Sequence, residues 1–252
     1  ALYQRANARL KSSEEFADRA RERVVKLQAG DAETRRIWQQ LIDVSLAGFN
    51  ATYARMDVLL TDADLAGESI YNADLPVVAA DLEDRGIAVV DDGALVVFVE
   101  GSTTPAIIRN AAGGYGYTCT DLAAIRHRVG DLAANRLVYV VGNPQEFHFA
   151  QVFAVARSAG YLPDDVAAEF VGFGQVLGAD GKKFSTREGT AVTLNSLLDE
   201  AEEHAAPAIA LAAIKYADLS SGLQKDYSFD VERMVATTGD TGPYLQYAHA
   251  RA

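Results

Sequence analysis

The sequence predicts an α/β fold: a parallel sheet with helices on both faces, preceded by a mostly helical segment that carries a small β element. Three observations predict it. Between residues 101 and 192 the short apolar runs "AIIR", "LVYVV" and "EFVGFG" are separated by helical stretches over about 120–133 and 145–159, the spacing of strand–helix–strand units. "LVYVV" is apolar at every position, as expected of a central strand buried on both faces. The first hundred residues instead carry apolar positions at three- and four-residue steps, the period of helices.

Taken in order, Ser12 and Glu15 have the spacing of a capping box for a helix that runs to a stop at Gly30. A second helix follows, with Ile37, Leu41, Ile42, Leu46, Phe49, Tyr53 and Met56 forming one stripe expected to be buried. A third, short helix ends near Gly86. Then "IAVV" and "ALVVFVE" flank Asp92-Gly93, the signal for a hairpin. Tyr117 is expected at the end of a strand after a glycine-rich turn, with Asp121 in the first turn of the next helix. From residue 193 onward the pattern is helical again, in "LNSLLDEAEEHA" and "PAIALAAIKYADL". The predicted division is therefore 1–100, 101–192 and 193–252.

Composition narrows the function classes. With 49% hydrophobic and 23% charged residues in 252, the chain can bury a sizeable core. Its 23 Lys and Arg against 35 Asp and Glu leave a net charge of -12, which argues against non-specific nucleic-acid binding through bulk charge, although a local basic stripe could still provide it; no DNA partner is predicted. Cys119 is the single cysteine, so neither an intrachain disulfide nor a cysteine-rich metal site is available, and a reducing cytoplasm is the expected setting. The four histidines lack zinc-ligand spacing, and no metal site is predicted. No apolar run approaches the roughly 20 residues of a membrane helix. The chain begins inside a helical pattern and stops at the start of another, so it is expected to be a piece of a longer protein.

Ligands of open parallel sheets sit beyond the carboxyl ends of the strands, which singles out three places. At "YGYTCTDLAAIRHR" a phenol and a carboxylate four residues apart, Tyr117 and Asp121, suit a guanidinium, whose planar fork offers several donors; a plain helix cap by Thr120 or Asp121 is the competing reading. At "VVGNPQEFHFAQVF" His148 and Gln151 lie close to one helix face, where a packed histidine among Phe147, Phe149 and Phe153 is the alternative. At "EFVGFG" followed by "GADGKKFSTREGT", glycines let a flat ring approach the backbone. Beyond them Lys182, Lys183 and Arg187, with Ser185 and Thr186, could meet a triphosphate. An exposed charged turn would look the same.

In this order, the segments resemble class I arginyl-tRNA synthetases. "GKKFSTREGTAVTLNSLLDEA" is similar to that family's relaxed form of the class I KMSKS loop. "YTCTDLAAIRHR", "EFHFAQVFAVARSAG", "VGFGQVLGADGKKF", "IKYADLSSGLQKDYSFD", "TGPYLQYAHAR", "RERVVKLQAGD" and "GESIYNADLP" resemble further family segments, so the likeness runs along essentially the whole chain. The resemblance implies a Rossmann-like fold. It also implies activation of L-arginine by ATP, with Mg2+, to arginyl-adenylate, and transfer to tRNA(Arg). It gives Tyr117, Asp121 and Gln151 to the arginine, and His148 with the strand residues Gly172, Phe173, Gly174 and Val176 to ATP. Lys182, Lys183, Ser185 and Arg187 become the phosphate loop. Residues 1–100 become the connective insertion, 101–192 the second half of the catalytic domain, and 193–252 the helical lead toward an anticodon-binding domain. The complete enzyme is expected to be a cytoplasmic monomer.

Two features depart from the family pattern. No His-Ile-Gly-His type string occurs in the chain, so half of the phosphate site is expected to lie elsewhere. The loop also carries Thr186 and Arg187 where a strict class I loop has lysine and serine. Two other readings stay open: a non-catalytic arginine- or nucleotide-binding module, and an adenylate-forming ligase with another acceptor.

Overall fold

In a computed structural model, residues 2–178 and 193–252 are described. In chain order the elements are α1 (Leu2–Ser12), α2 (Glu14–Gln28), α3 (Ala32–Arg55), α4 (Leu75–Asp84), β1 (Val89–Asp91), β2 (Ala94–Val97), β3 (Ala106–Arg109), α5 (Tyr117–Gly130), β4 (Arg136–Gly142) and α6 (Glu146–Ser158). There follow β5 (Ala167–Phe173), β6 (Val176–Leu177), α7 (Leu194–His204), α8 (Pro207–Ser220), β7 (Tyr227–Ser228), α9 (Val231–Met234) and α10 (Gly242–Arg251). The chain divides into two compact units. One holds Glu15–Leu41 and Asp62–Gly172; the other holds Ala1–Glu14, Ile42–Thr61 and Phe173–Ala252. Among the described residues no helix is long and apolar enough to cross a membrane.

In the first unit, α2 stops at Gly30, whose φ of 86° lies in the left-handed region that glycine tolerates best. Asp31 then starts α3: its Oδ1 accepts the Thr34 N–H at 2.9 Å and the Thr34 hydroxyl at 2.6 Å. These bonds hold the Asp31 carboxyl below its usual range. The predicted hairpin is present, with β1 antiparallel to β2 around Asp92-Gly93. "AIIR", expected in the parallel sheet, instead pairs antiparallel with β2 as β3. The short 98–105 connection explains this, because a parallel return needs a crossover of a dozen or more residues.

The core of this unit is one cluster. It joins Leu75, Val78 and Leu82 of α4 and Leu95 and Ile108 of the antiparallel sheet to Leu122 and Ile125 of α5 and Val152 and Val155 of α6. β4 and β5 lie side by side, with α6 between them in sequence, so a strand–helix–strand unit is present. β4 corrects a second expectation. Leu137 and Tyr139 are buried, but Val138 and Val140 are 47% and 59% exposed, so only one face of the strand is covered by the described residues.

Two helical expectations also change. Ser12 does not begin α2; it is the last residue of α1, and its hydroxyl donates back to the Arg9 carbonyl at 3.3 Å. The stripe on α3 is largely uncovered, with Ile37, Leu41 and Phe49 exposed and only Thr34 buried. Period marks which face is apolar, but burial needs a partner surface, and the described residues supply little along this helix.

The second unit is built on α7 and α8, whose Leu197, Leu198, Ala201, Ala210 and Ile214 bury with Phe229 and Val231. Thr193 and Ser196 form a reciprocal capping box at the start of α7. Arg55 ties the end of α3 to α7: its guanidinium reaches Asp199 at 2.9 Å, Glu202 at 3.1 Å and the Asn195 side-chain oxygen at 3.2 Å. β6 pairs parallel with β7. α10 is capped by Thr241, whose side chain accepts the Tyr244 N–H. Its first residue, Gly242, sits so close to α8 that a Cβ there would lie 2.1 Å from the Ala212 carbonyl oxygen.

Gly242→Ala must therefore push two helices apart, and a loss of about 1–3 kcal/mol in unfolding free energy is expected; an unchanged denaturant midpoint would sink this account. A second expectation concerns Cys119, fully buried with its Sγ 3.6 Å from the Leu75 carbonyl. Burial pushes its thiol up from 9.0 to about 12. The folded state keeps this proton after the unfolded state has lost it, so the contribution to stability is full below pH 9 and falls as pH rises toward 12. Native protein should resist iodoacetamide at about pH 8 and label once unfolded, since the thiolate is the nucleophile; rapid labelling of the native state would contradict it.

Candidate functional site

The chain places α5 through a local device. In the turn that follows β3, Asn110 Oδ1 accepts the N–H groups of Ala112 and Gly114, both at 3.0 Å. The Gln28 amide donates to the Tyr115 carbonyl at 3.4 Å. Gly116, in extended conformation, is the N-cap, and α5 begins at Tyr117, three residues earlier than expected. Its inner face, Thr118, Cys119, Leu122 and Ile125, is buried. Tyr117 and Asp121 consequently share another flank one turn apart. Tyr117 is 71% exposed, and the Asp121 side chain is 27% exposed. Neither Thr120 nor Asp121 caps this helix: the cap is Gly116, and the Thr120 hydroxyl bonds back to its carbonyl at 3.5 Å.

α6 is seated by aromatics. Phe149 lies 4.7 Å from Tyr139 and 6.1 Å from Phe170 between ring centroids, and Phe153 lies 5.3 Å from Tyr139. Arg128 donates to the Tyr139 hydroxyl at 3.0 Å; burial still raises the pKa of that phenol above its ordinary value. One turn along α6, Gln151 is buried, and its Nε2 donates to the Ser102 hydroxyl at 2.8 Å and the Thr104 carbonyl at 2.7 Å. His148, one residue before Phe149 and three before Gln151, donates from Nε2 to Asp121 Oδ2 at 2.7 Å.

The expected residues are thus partly brought together. Tyr117, Asp121, His148 and Gln151 all belong to the first unit. His148, expected beside ATP, has its Nε2 on Asp121. Gln151 directs its amide nitrogen to the 102–104 stretch. Sequence reasoning missed Ser102 and Thr104 because small hydroxyl residues before a strand carry no local signature. It also missed Asn143, although the glycine opposite was a signal: a Cβ on Gly172 would stand 2.4 Å from Asn143 Oδ1.

The other strand-end residues are placed as follows. Phe173 ends β5 and is 41% exposed. The Gly174 N–H donates to Leu223, and a Cβ at 174 would lie 2.2 Å from the Lys225 carbonyl oxygen. Val176 pairs with Tyr227 and packs against the α7–α8 cluster. The Gln175 N–H bonds Asp226 Oδ1 at 2.7 Å, and its carbonyl accepts from Tyr227. Glycine at 174 is therefore already required by the chain's own packing. Lys182, Lys183, Ser185 and Arg187 lie outside the described residues. Among the described residues no group of three or more His, Cys, Asp or Glu could hold a metal ion.

What this arrangement can do follows from its donors and acceptors. Asp121 presents a carboxylate that accepts the His148 N–H on Oδ2 and, as an acceptor of several bonds, can take further donors, one helical turn from an exposed phenol. A planar cation with parallel N–H donors fits such an acceptor better than a point charge.

Residues 1–210 match the family described as "tRNA synthetases class I (R), catalytic domain". The arginine–tRNA ligase of Cutibacterium acnes is 66% identical over 250 residues, covering 99% of this chain and 45% of that protein. The arginine–tRNA ligase of Thermobifida fusca is 50% identical over 276 residues, covering 100% of this chain and 48% of that protein. Among solved structures, the arginyl-tRNA synthetase of Plasmodium falciparum superposes with a TM-score of 0.80 at 27% identity, over 94% of this chain and 43% of that one. The chain spans about half the length of the curated relatives it matches. Its mixed helices and small sheets are those of a class I synthetase catalytic domain, and with a family match across most of its length the chain belongs to the class I arginyl-tRNA synthetases.

Proposed function

We propose that the protein containing this chain is an arginine–tRNA ligase, which activates L-arginine with ATP to arginyl-adenylate and transfers the arginyl group to tRNA(Arg). One observation supports the reading beyond family membership: Asp121 stands one helical turn from Tyr117 with its carboxylate already oriented by a hydrogen bond. In this reading Asp121 takes the guanidinium through paired N–H···O bonds, and Tyr117 closes over the same group. Gln151 orients the substrate with its carbonyl oxygen while its amide holds the 102–104 stretch. An ammonium cannot reproduce the planar fork, so lysine is rejected by geometry.

The nucleotide, entering as its Mg2+ complex, is assigned to the Gly172, Phe173, Gly174 and Val176 stretch. Because the Gly174 and Gln175 N–H groups are engaged within the chain, the base would contact the groups around them. Lys182, Lys183, Ser185 and Arg187 are assigned to the phosphates, where cations and hydroxyls stabilise charge gathering on the leaving pyrophosphate. Residues 1–100 are assigned to the connective insertion, 101–192 to the second catalytic half and 193–252 to the helical lead toward the anticodon-binding domain. The complete protein would act as a monomer in the cytoplasm.

The reading is tested by exchange of labelled pyrophosphate into ATP with the complete protein, tRNA(Arg) present. Exchange should require arginine and not respond to lysine, and Asp121→Ala should cut it by roughly a hundredfold or more, as expected when a site loses a paired polar partner. Wild-type exchange in that variant would remove Asp121 from the site. Tight arginine or nucleotide binding by the wild type without any exchange would replace the ligase with a binding module.

A further inference from the structure

We propose that His148 is a positioning residue for the arginine substrate, acting through Asp121. The inference rests on the reading of Asp121 as the guanidinium carboxylate and adds a residue to that site. Its basis is the 2.7 Å bond from His148 Nε2 to Asp121 Oδ2, between side chains only 28% and 27% exposed.

A bidentate bond to a guanidinium requires both carboxylate oxygens in the plane of the incoming fork. Left alone, an aspartate does not hold that plane, because the torsion between its Cβ and carboxyl group is broad and roughly two-fold. One hydrogen bond to one oxygen removes most of this freedom. The imidazole N–H fixes Oδ2 and uses one of its lone pairs, so Oδ1 and the other Oδ2 lone pair remain for the substrate. Ordering done in advance is ordering the substrate does not have to impose on binding.

The histidine can do this because its own backbone is fixed. The next residue, Phe149, is packed against Tyr139 and Phe170. Three residues on, Gln151 is bolted to Ser102 and Thr104. His148 also meets the Phe149 ring edge-on at 5.2 Å between centroids. Asp121 is held equally well from α5, whose Leu122 and Ile125 are fully buried. The bond therefore joins two helices whose positions the core already sets. Its effect falls on the carboxylate plane, and a purely structural tie would act differently.

The test uses the complete protein in the same exchange assay, comparing KM for arginine with KM for ATP. His148→Ala should raise the arginine KM by about tenfold, the scale of a lost hydrogen bond to a charged group, with the ATP KM within about twofold of wild type. His148→Gln places an amide N–H the same number of bonds from Cβ as Nε2 and should restore most of the arginine KM. An unchanged arginine KM in His148→Ala, equal rises in both KM values, or failure of glutamine to improve on alanine would each overturn the proposal. These outcomes leave the ligase reading standing if the wild type is active; absence of exchange in the wild type overturns both.

Discussion

The candidate site depends on the packing of α5 against α6 over a single core. Leu122 and Ile125 on one helix and Val152 and Val155 on the other belong to the same buried cluster as Leu95 and Ile108 of the antiparallel sheet. Close-packed interiors leave little freedom for helices to slide. A shift of one residue along α6 would carry His148 by about 1.5 Å and roughly 100° around the helix. The polar pair at 2.7 Å is thus a readout of apolar register. The aromatic group that seats α6, with Phe149 and Phe153 on the helix against Tyr139 of β4 and Phe149 also near Phe170 of β5, makes that register hard to change because each ring fills a large, specific volume.

Polar anchoring then divides into two tasks. Gln151 works inward: a buried amide must satisfy its hydrogens, and doing so on Ser102 and Thr104 fixes the stretch that leads into β3. Asp121, 27% exposed, works outward: a carboxylate offers about four acceptor sites, and the His148 bond takes one of them. In the other unit the glycines at 174 and 242 show a different constraint. Each stands where backbone from another segment occupies the space of a Cβ, Lys225 in one case and Ala212 in the other. A glycine beside a proposed nucleotide stretch invites a ligand explanation, yet at 174 the chain itself explains it.

Much of this was legible in the sequence, and the misses share a cause. The hairpin at Asp92-Gly93, the helix over 145–159 and the strand "EFVGFG" were readable because turn chemistry and apolar period are local. Tyr117 and Asp121 could be singled out by their four-residue separation, but that both lie on one helix was not legible, because Tyr117 was expected at a strand end and instead opens α5. What failed was non-local. "LVYVV" has the composition of a doubly buried strand, but exposure of Val138 and Val140 depends on what lies across the sheet. The α3 stripe has the right period with Ile37, Leu41 and Phe49 uncovered, for the same reason. "AIIR" reads as a strand in either direction, and its antiparallel pairing comes from connection length. His148 was singled out by its neighbourhood in the sequence, but its partner sits 27 residues earlier, and no spacing rule links them.

The net charge of -12 bears on how such a site could choose its amino acid. A negative surface draws cations of every kind toward the protein and so favours arginine and lysine alike. On the proposed ligase reading, discrimination would therefore come from short-range geometry, where the guanidinium differs from the ammonium in planarity and in the direction of its donors. An aspartate is suited to this because it has few torsions to order, and a neighbour that fixes its plane removes the last of them. A glutamate on the same helix would carry the same charge and attract both cations equally, but its extra torsion would blur the plane. On the same reading, selectivity would reside in the direction of one carboxylate, and that direction would be set by a histidine whose own place is set by aromatic packing.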